Sequence, residues 1–370
     1  MRRLYSFATF FSIILLISFA LNFYVLWRLC GLFKIKRGII FWIVVIICSI
    51  SLIGSSILRS HFDNIVSRII YVIAANWLGI MWLLFSTLIV YEIVRLFIKV
   101  EPFTAGIVIL IVVAVTTIYA MINAQVIRVK ELTIPGNTGL NIVQISDIHL
   151  GSVSENFLQR VIEKTNALRP DVIVITGDIA DSYNEKTEKA LQKLKDLKAD
   201  VFFVTGNHEM YAGPEKVTKT LTDANVRVLR NQLADCNEIQ IIGIDESTDL
   251  REVGGIVERL KIDESRLNAE RDKSKFCVLL SHRPIGPEKL ADMRIELGLS
   301  GHMHGGQIFP FNYIVGLNHK YLAGLYKYNG SYLYVTTGTG TWGPRMRLGS
   351  RSEIVLIKIR NEKPPDKSGG

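Results

Sequence analysis

Four uncharged, strongly apolar runs fill the first third of this 370-residue chain: Leu4 to Trp27, Gly38 to Leu58, Ile69 to Tyr91 and Pro102 to Ile127. Each exceeds the roughly 20 residues that a helix needs to cross the hydrocarbon core of a bilayer. The first run follows Met1-Arg2-Arg3 and could be a signal peptide. It is long for such a segment, lacks a small-residue cleavage site, and is followed by three more runs. It is therefore read as a retained helix, giving a transmembrane region of four helices over residues 1–127. The mean hydropathy of +0.28 agrees. Charged residues are sparse before Gln125 and dense after it, so one part of the chain belongs in lipid and the other in water.

Tyr24, Trp27, Trp42, Tyr71, Trp77, Trp82 and Tyr91 lie in or beside these runs, several near the expected interfaces. The runs carry no interior Asp, Glu, Lys or Arg that would mark an ion path, which argues against a transporter or channel and for an anchor. Arg28, Lys34, Lys36 and Arg37 make the first loop the most basic and favour placing it in the cytoplasm, with the water-soluble part extracytoplasmic. Arg2, Arg3, Arg59, Arg68, Arg128 and Lys130 fall on the opposite side, so the two totals nearly balance. The formal charge of +9 suits anionic lipid headgroups or phosphorylated substrates. No array of Arg or Lys with aromatics marks a nucleic-acid surface, and none of the four cysteines forms a CxxC pair.

From Asn141 onward, short β-branched runs alternate with helical patterns. Strands are expected at 141–146, 171–176, 201–205, 239–244, 276–281, 295–300, 331–337 and 353–359. Helices are expected from Ser154 to Leu168, with Ser154 as cap, and from about Asn184 to Leu197. This order predicts a layered α/β domain over residues 128–360, and the Pro- and Lys-rich tail at 361–370 reads as disordered.

The loops at the strand ends carry the chemistry. They contain Ser146-Asp147-Ile148-His149, Gly177-Asp178-Ile179-Ala180-Asp181, Gly206-Asn207-His208-Glu209, Ser281-His282 and Gly301-His302-Met303-His304. In open α/β sheets, ligands collect at the carboxyl ends of strands, so these loops should converge on one crevice. Five of the seven histidines fall in them; the other two, His61 and His319, are read as loop residues. Asp and Asn oxygens with neutral imidazoles suit Mn, Fe or Zn better than the all-oxygen shell of Mg or Ca. Asp178 can offer one oxygen to each of two ions, and a tight loop can send His302 and His304 to neighbouring ions. Two ions roughly 3.5–4 Å apart can share a hydroxide nucleophile and clamp the entering and leaving oxygens of a phosphate. Taken singly, Asp-x-His or Gly-Asp-x-x-Asp reads equally well as a turn or a helix cap. Five such blocks in order at strand ends do not.

With these blocks the chain resembles the calcineurin-like metallophosphoesterase superfamily, from about Asn141 to Ile359. The resemblance implies a two-sheet β-sandwich flanked by helices. It implies that Asp147, His149 and His304 hold one ion, that Asn207, His282 and His302 hold the other, and that Asp178 bridges them. It further implies that His208 contacts the phosphate and protonates the leaving oxygen, with Asp181 orienting its ring. Gly301-His302-Met303-His304-Gly305-Gly306-Gln307 and the Gly338-Thr339-Gly340…Pro344-Arg345…Glu353-Ile354 stretch look most like bacterial membrane-associated phosphoesterases related to UDP-2,3-diacylglucosamine pyrophosphatase. Arg345 and Arg347 are either contacts to substrate phosphate or surface charges. The expected activity is hydrolysis of phosphate mono- or diesters at the membrane, with lipid-linked esters among the candidate substrates. The alternatives are a pyrophosphatase acting on a nucleotide-linked lipid precursor and a non-catalytic membrane sensor.

Overall fold

The computed structural model describes residues 2–62, 64–246 and 271–361, with side chains from residue 12 onward. The tail expected to be disordered lies, beyond residue 361, outside the described residues. The chain divides into two compact units. One comprises Met1–Asn123 with Gly343–Leu348, the other Ala124–Trp342 with Gly349–Gly370.

The helical unit is built from α1 (Arg2–Leu32), α2 (Ile39–His61), α3 (Ile65–Val94) and α4 (Pro102–Gln125). All four helices contain a stretch long and apolar enough to cross a membrane. Ile107, Ile111, Val115, Ile118 and Ile122 expose an aliphatic stripe at helical spacing along α4, and Ile39, Ile40, Ile43, Ile46 and Ile47 do the same on α2. Apolar faces of this size belong in lipid. α3 begins earlier than its apolar run because Asn64 caps it. The Asn64 side chain accepts from the N–H groups of Val66 and Ser67, both at 3.0 Å, and Ser67 Oγ accepts from the Asn64 N–H at 3.2 Å.

Because α1 and α3 outrun the apolar sequence, Arg28 and Glu92 fall inside helical turns, where Arg28 Nε donates to Glu92 Oε1 at 2.6 Å. Trp77 Nε1 donates to Asn22 Oδ1 at 3.0 Å, a second polar link between the same two helices. The two arginines left open by the sequence lie in this unit. Arg347 is fully buried, which excludes a surface charge, and its N–H donates to the Ala120 carbonyl at 2.9 Å. The N–H of Arg345 donates to Asn76 Oδ1 at 2.8 Å.

The second unit is a sandwich of two six-stranded sheets. The first sheet contains β1 (Ile127–Pro135), β2 (Asn141–Ile145), β3 (Val172–Thr176), β4 (Asp200–Val204), β5 (Val226–Val228) and β12 (Ser352–Arg360), in the order β1-β12-β2-β3-β4-β5. The second contains β6 (Gln232–Cys236), β7 (Ile239–Gly243), β8 (Phe276–Leu280), β9 (Leu297–Ser300), β10 (Gly324–Tyr328) and β11 (Ser331–Val335), in the order β10-β11-β9-β8-β7-β6. β2, β3 and β4 pair in parallel, as do β7, β8 and β9, so their carboxyl ends open on the same edge of each sheet.

Strand parity explains why these runs are apolar throughout. In the first sheet, Ile142, Val172, Val174, Phe202 and Val204 face Ile239, Ile241, Val278, Leu280 and Leu299 of the second. Their alternates Val143, Ile145, Ile173, Ile175 and Phe203 pack against α5 (Glu155–Ala167), α6 (Glu185–Leu191) and α8 (Pro214–Asp223) through Phe157, Leu191 and Leu221. The outer face of the second sheet is covered by Leu290 of α9 (Pro287–Asp292). Both faces of each central strand are therefore buried, as parallel strands require.

Phe203 is fully buried in β4, directly before the loop that carries Asn207. Phe203→Ala should destabilise the sandwich by about 3–5 kcal/mol. A thermal or denaturant melt followed on the sandwich unit's transition measures this, and an unchanged midpoint would contradict the packing described.

Candidate metal centre

The loops after β2, β3, β4, β8 and β9 meet, as the strand-end motifs predict. Asp147, His149, Asp178, His302 and His304 all adopt positive φ, between 49° and 71°. Non-glycine residues rarely enter this region, and several together mark a backbone held against its preference at a functional site. The loops lock one another in place. Asp147 N–H donates to the Gly177 carbonyl and His149 N–H to the Asp178 carbonyl, both at 3.0 Å.

Glycine is required where these loops touch. A side chain at Gly206 would collide with the carboxylate and N–H of Asp178, and one at Gly301 would collide with Ser146 and the Asp147 carboxylate.

Three groups of ligating side chains come together among the described residues, one of them His149, Asp181 and His208, and the other two hold the remaining motif histidines. In one, His149 Nε2 lies 3.0 Å from His304 Nε2, and His304 Nε2 lies 3.4 Å from Asp147 Oδ1. In the other, His282 Nε2 lies 3.2 Å from Asp178 Oδ2 and 3.1 Å from His302 Nδ1. Asp178 Oδ2 is also 3.8 Å from His149 Nε2, so one carboxylate faces both sets. Asn207 Oδ1 is buried with no hydrogen-bond partner.

Outer partners fix the imidazoles. His282 Nδ1 donates to the Thr176 carbonyl at 2.8 Å, and His149 Nδ1 donates to Asp181 Oδ1 at 2.8 Å, which turns each Nε2 toward the centre. Asp181 is also 2.9 Å from His208 Nδ1, and it accepts from Ser152 through both N–H and Oγ. His61 closes α2 and His319 ends α10 (Phe311–Asn318); both are exposed, and neither is in a group of candidate ligands.

The electrostatics favour a cation. Burial opposes a charged His282, yet the Asp178 and Asp147 carboxylates outweigh it and hold its pKa at about 10. Burial likewise opposes the His208 imidazolium, but the Asp181 hydrogen bond and the charge of Asp178 raise it to about 9. Burial, reinforced by the His282 charge, depresses His302 to about 2. Burial pushes Asp178 up, but His282 and the neighbouring histidines hold it well below the ordinary carboxylate range. Convergent imidazole nitrogens, two buried carboxylates and an orphaned amide oxygen fit divalent metal ions.

One residue of the motifs had no role assigned from sequence. Glu209 is fully buried in α7 (Asn207–Ala212), and its carboxylate accepts four backbone N–H groups. These are Gly206 at 2.7 Å, Asp178 and Ile179 at 2.8 Å, and Ala180 at 3.2 Å. Burial, with Asp178 nearby, raises its carboxyl to about 7. Its place three residues beyond the Gly206 helix cap is the one sequence signal for this.

The chain matches the calcineurin-like phosphoesterase family over residues 140–306. An uncharacterized metallophosphoesterase of Campylobacter jejuni is 36% identical over 266 residues, covering 69% of this chain and 69% of that protein. A transmembrane protein with metallophosphoesterase domain from Danio rerio is 35% identical over 274 residues, 68% of this chain and 62% of that protein. An uncharacterized metallophosphoesterase of Aquifex aeolicus is 33% identical over 258 residues, 66% of this chain and 96% of that protein. This chain therefore belongs to the calcineurin-like metallophosphoesterases. It is a metal-dependent hydrolase of phosphoric esters, set in a membrane protein.

If Glu209 holds the loops that present Asp178 and Asn207, Glu209→Gln should weaken Mn binding about 10–100-fold, because an amide cannot accept four N–H groups. Calorimetric titration of the full chain in detergent measures this; wild-type affinity in the variant would contradict it.

Proposed function

We propose that this chain is a multi-pass, membrane-anchored phosphoesterase that works with two metal ions on phosphate esters near the lipid surface. The observation that carries the reading is Asp178, whose Oδ2 faces His149 Nε2 at 3.8 Å and His282 Nε2 at 3.2 Å. One such carboxylate between two imidazole sets is the arrangement expected of a bridging ligand. Asp147, His149 and His304 would hold one ion, Asn207, His282 and His302 the other, with Mn, Fe or Zn suited to the donors. Such ions supply Lewis acidity toward a phosphoryl oxygen and lower the pKa of bound water.

The protein's own groups handle the leaving side. Asp181 accepts from His208 Nδ1 and fixes the ring, which turns Nε2 toward the side of Asp178, 4.0 Å from Oδ2. His208 then donates a proton from Nε2 to the departing ester oxygen. The four apolar helices would span the bilayer and keep substrates close to it, with the basic first loop favouring an extracytoplasmic site.

The Mn-loaded 370-residue chain should hydrolyse a generic aryl phosphodiester or monoester. Asp178→Asn should abolish turnover, and unchanged turnover in that variant would sink the reading. His208→Ala should lower kcat by about 10²–10⁴-fold while Mn binding persists. For topology, a reporter fused at Gly370 should be active outside the cytoplasm; activity only inside would reverse the orientation.

A further inference from the structure

Two exposed aromatic side chains flank His208. Trp342 is 54% exposed and Tyr211 is 74% exposed. The Trp342 ring centroid lies 5.9 Å from that of His208 and the Tyr211 centroid 5.7 Å, both edge-on, at 75° and 71°.

An exposed tryptophan on a loose loop would mean little, but this one is fixed by its backbone. Gln307 Nε2 donates to the Trp342 carbonyl at 2.9 Å, and the Trp342 N–H donates to Gln307 Oε1 at 3.0 Å. The amide thus pairs with both backbone groups of one residue, as a neighbouring strand would. Just upstream, Thr339 N–H donates to the Ser146 carbonyl at 2.8 Å and Gly340 N–H to the Asp147 carbonyl at 2.9 Å. Any side chain at Gly340 would run into the Ile148 carbonyl, so the segment lies flush against the Asp147 loop. Gln307 itself follows the His302–His304 loop at φ 50°, with its carbonyl accepting from Ser350 Oγ at 2.9 Å. The loops that carry the candidate ligands therefore also hold Trp342.

We infer that Trp342 and Tyr211 form an apolar clamp for the leaving group of the substrate, and that Gln307 is the residue that positions Trp342. This rests on the reading of His208 as proton donor. A group beside that donor meets the departing part of the ester rather than the phosphoryl part that stays. The substrates favoured are then phosphoesters whose leaving group presents an aromatic face or an alkyl chain, since both bury apolar area against an indole.

Non-hydrolysable phosphonates test this without turnover. Phenyl-, hexyl- and methylphosphonate are titrated by calorimetry into the Mn-loaded full chain in detergent. Phenyl- and hexylphosphonate should bind about tenfold tighter than methylphosphonate. Trp342→Ala should erase that preference, Gln307→Ala should shrink it, and Trp342→Phe should keep most of it. Methylphosphonate affinity should move less than about twofold in all three, which a misfolded site would not allow. A preference for phenyl- alone or hexyl- alone identifies which apolar chemistry the clamp takes. Equal affinities in the wild type, with methylphosphonate binding still Mn-dependent, overturn the clamp alone. Mn-independent binding, or none, for all three overturns the metal reading with it. A Trp342→Ala chain that keeps the preference also overturns the clamp.

Discussion

One buried carboxylate holds the centre together. Glu209 gathers the N–H groups of Gly206, Asp178, Ile179 and Ala180, and so ties the loop after β3 to the loop after β4. Without it, four backbone donors would be buried unpaired, each costing about 1–3 kcal/mol. The loop that places Asp178 would also lose its support. The positive-φ backbone at Asp147, His149, Asp178, His302 and His304 is costly in itself, and persists because neighbouring loops over-determine it. Rigidity here serves binding: ligands aimed before the ion arrives lose little entropy when it does.

The same logic reaches outward. Imidazoles are turned by Thr176 and Asp181, Asp181 is held by Ser152, and the Thr339–Trp342 segment is laid along the Asp147 loop. Phosphoester chemistry, and the leaving-group handling and clamp proposed beside His208, all depend on loops springing from one edge of a sandwich. That sandwich buries both faces of its central strands.

Much of this was legible in the sequence, for a physical reason. Parallel strands buried on both faces are largely continuous apolar runs, so β2, β3, β4 and β8 stand out, and the polar motifs at their ends mark where each run stops. The features that stayed hidden depend on distant partners. β1 carries alternating charges and is a strand because residues 127–135 pair in parallel with residues 352–360. The roles of Glu209 and Gln307 lie in hydrogen bonds to backbone, and only the Gly206–Glu209 cap spacing leaves a trace of them in the sequence. The helix ends also moved: Asn64 caps α3 ahead of its apolar run, and α1 and α3 run on past theirs to take in the Arg28–Glu92 pair. Arg347, readable only as charged, is fully buried.

The central claim is that a shared carboxylate makes this a paired centre rather than two unrelated histidine clusters. The most direct measurement is metal stoichiometry with electron paramagnetic resonance on the full chain loaded with Mn. Two Mn per chain with an exchange-coupled spectrum are expected, reduced to uncoupled or lost metal in Asp178→Asn. A single Mn per chain with an isolated-ion spectrum in the wild type would contradict it.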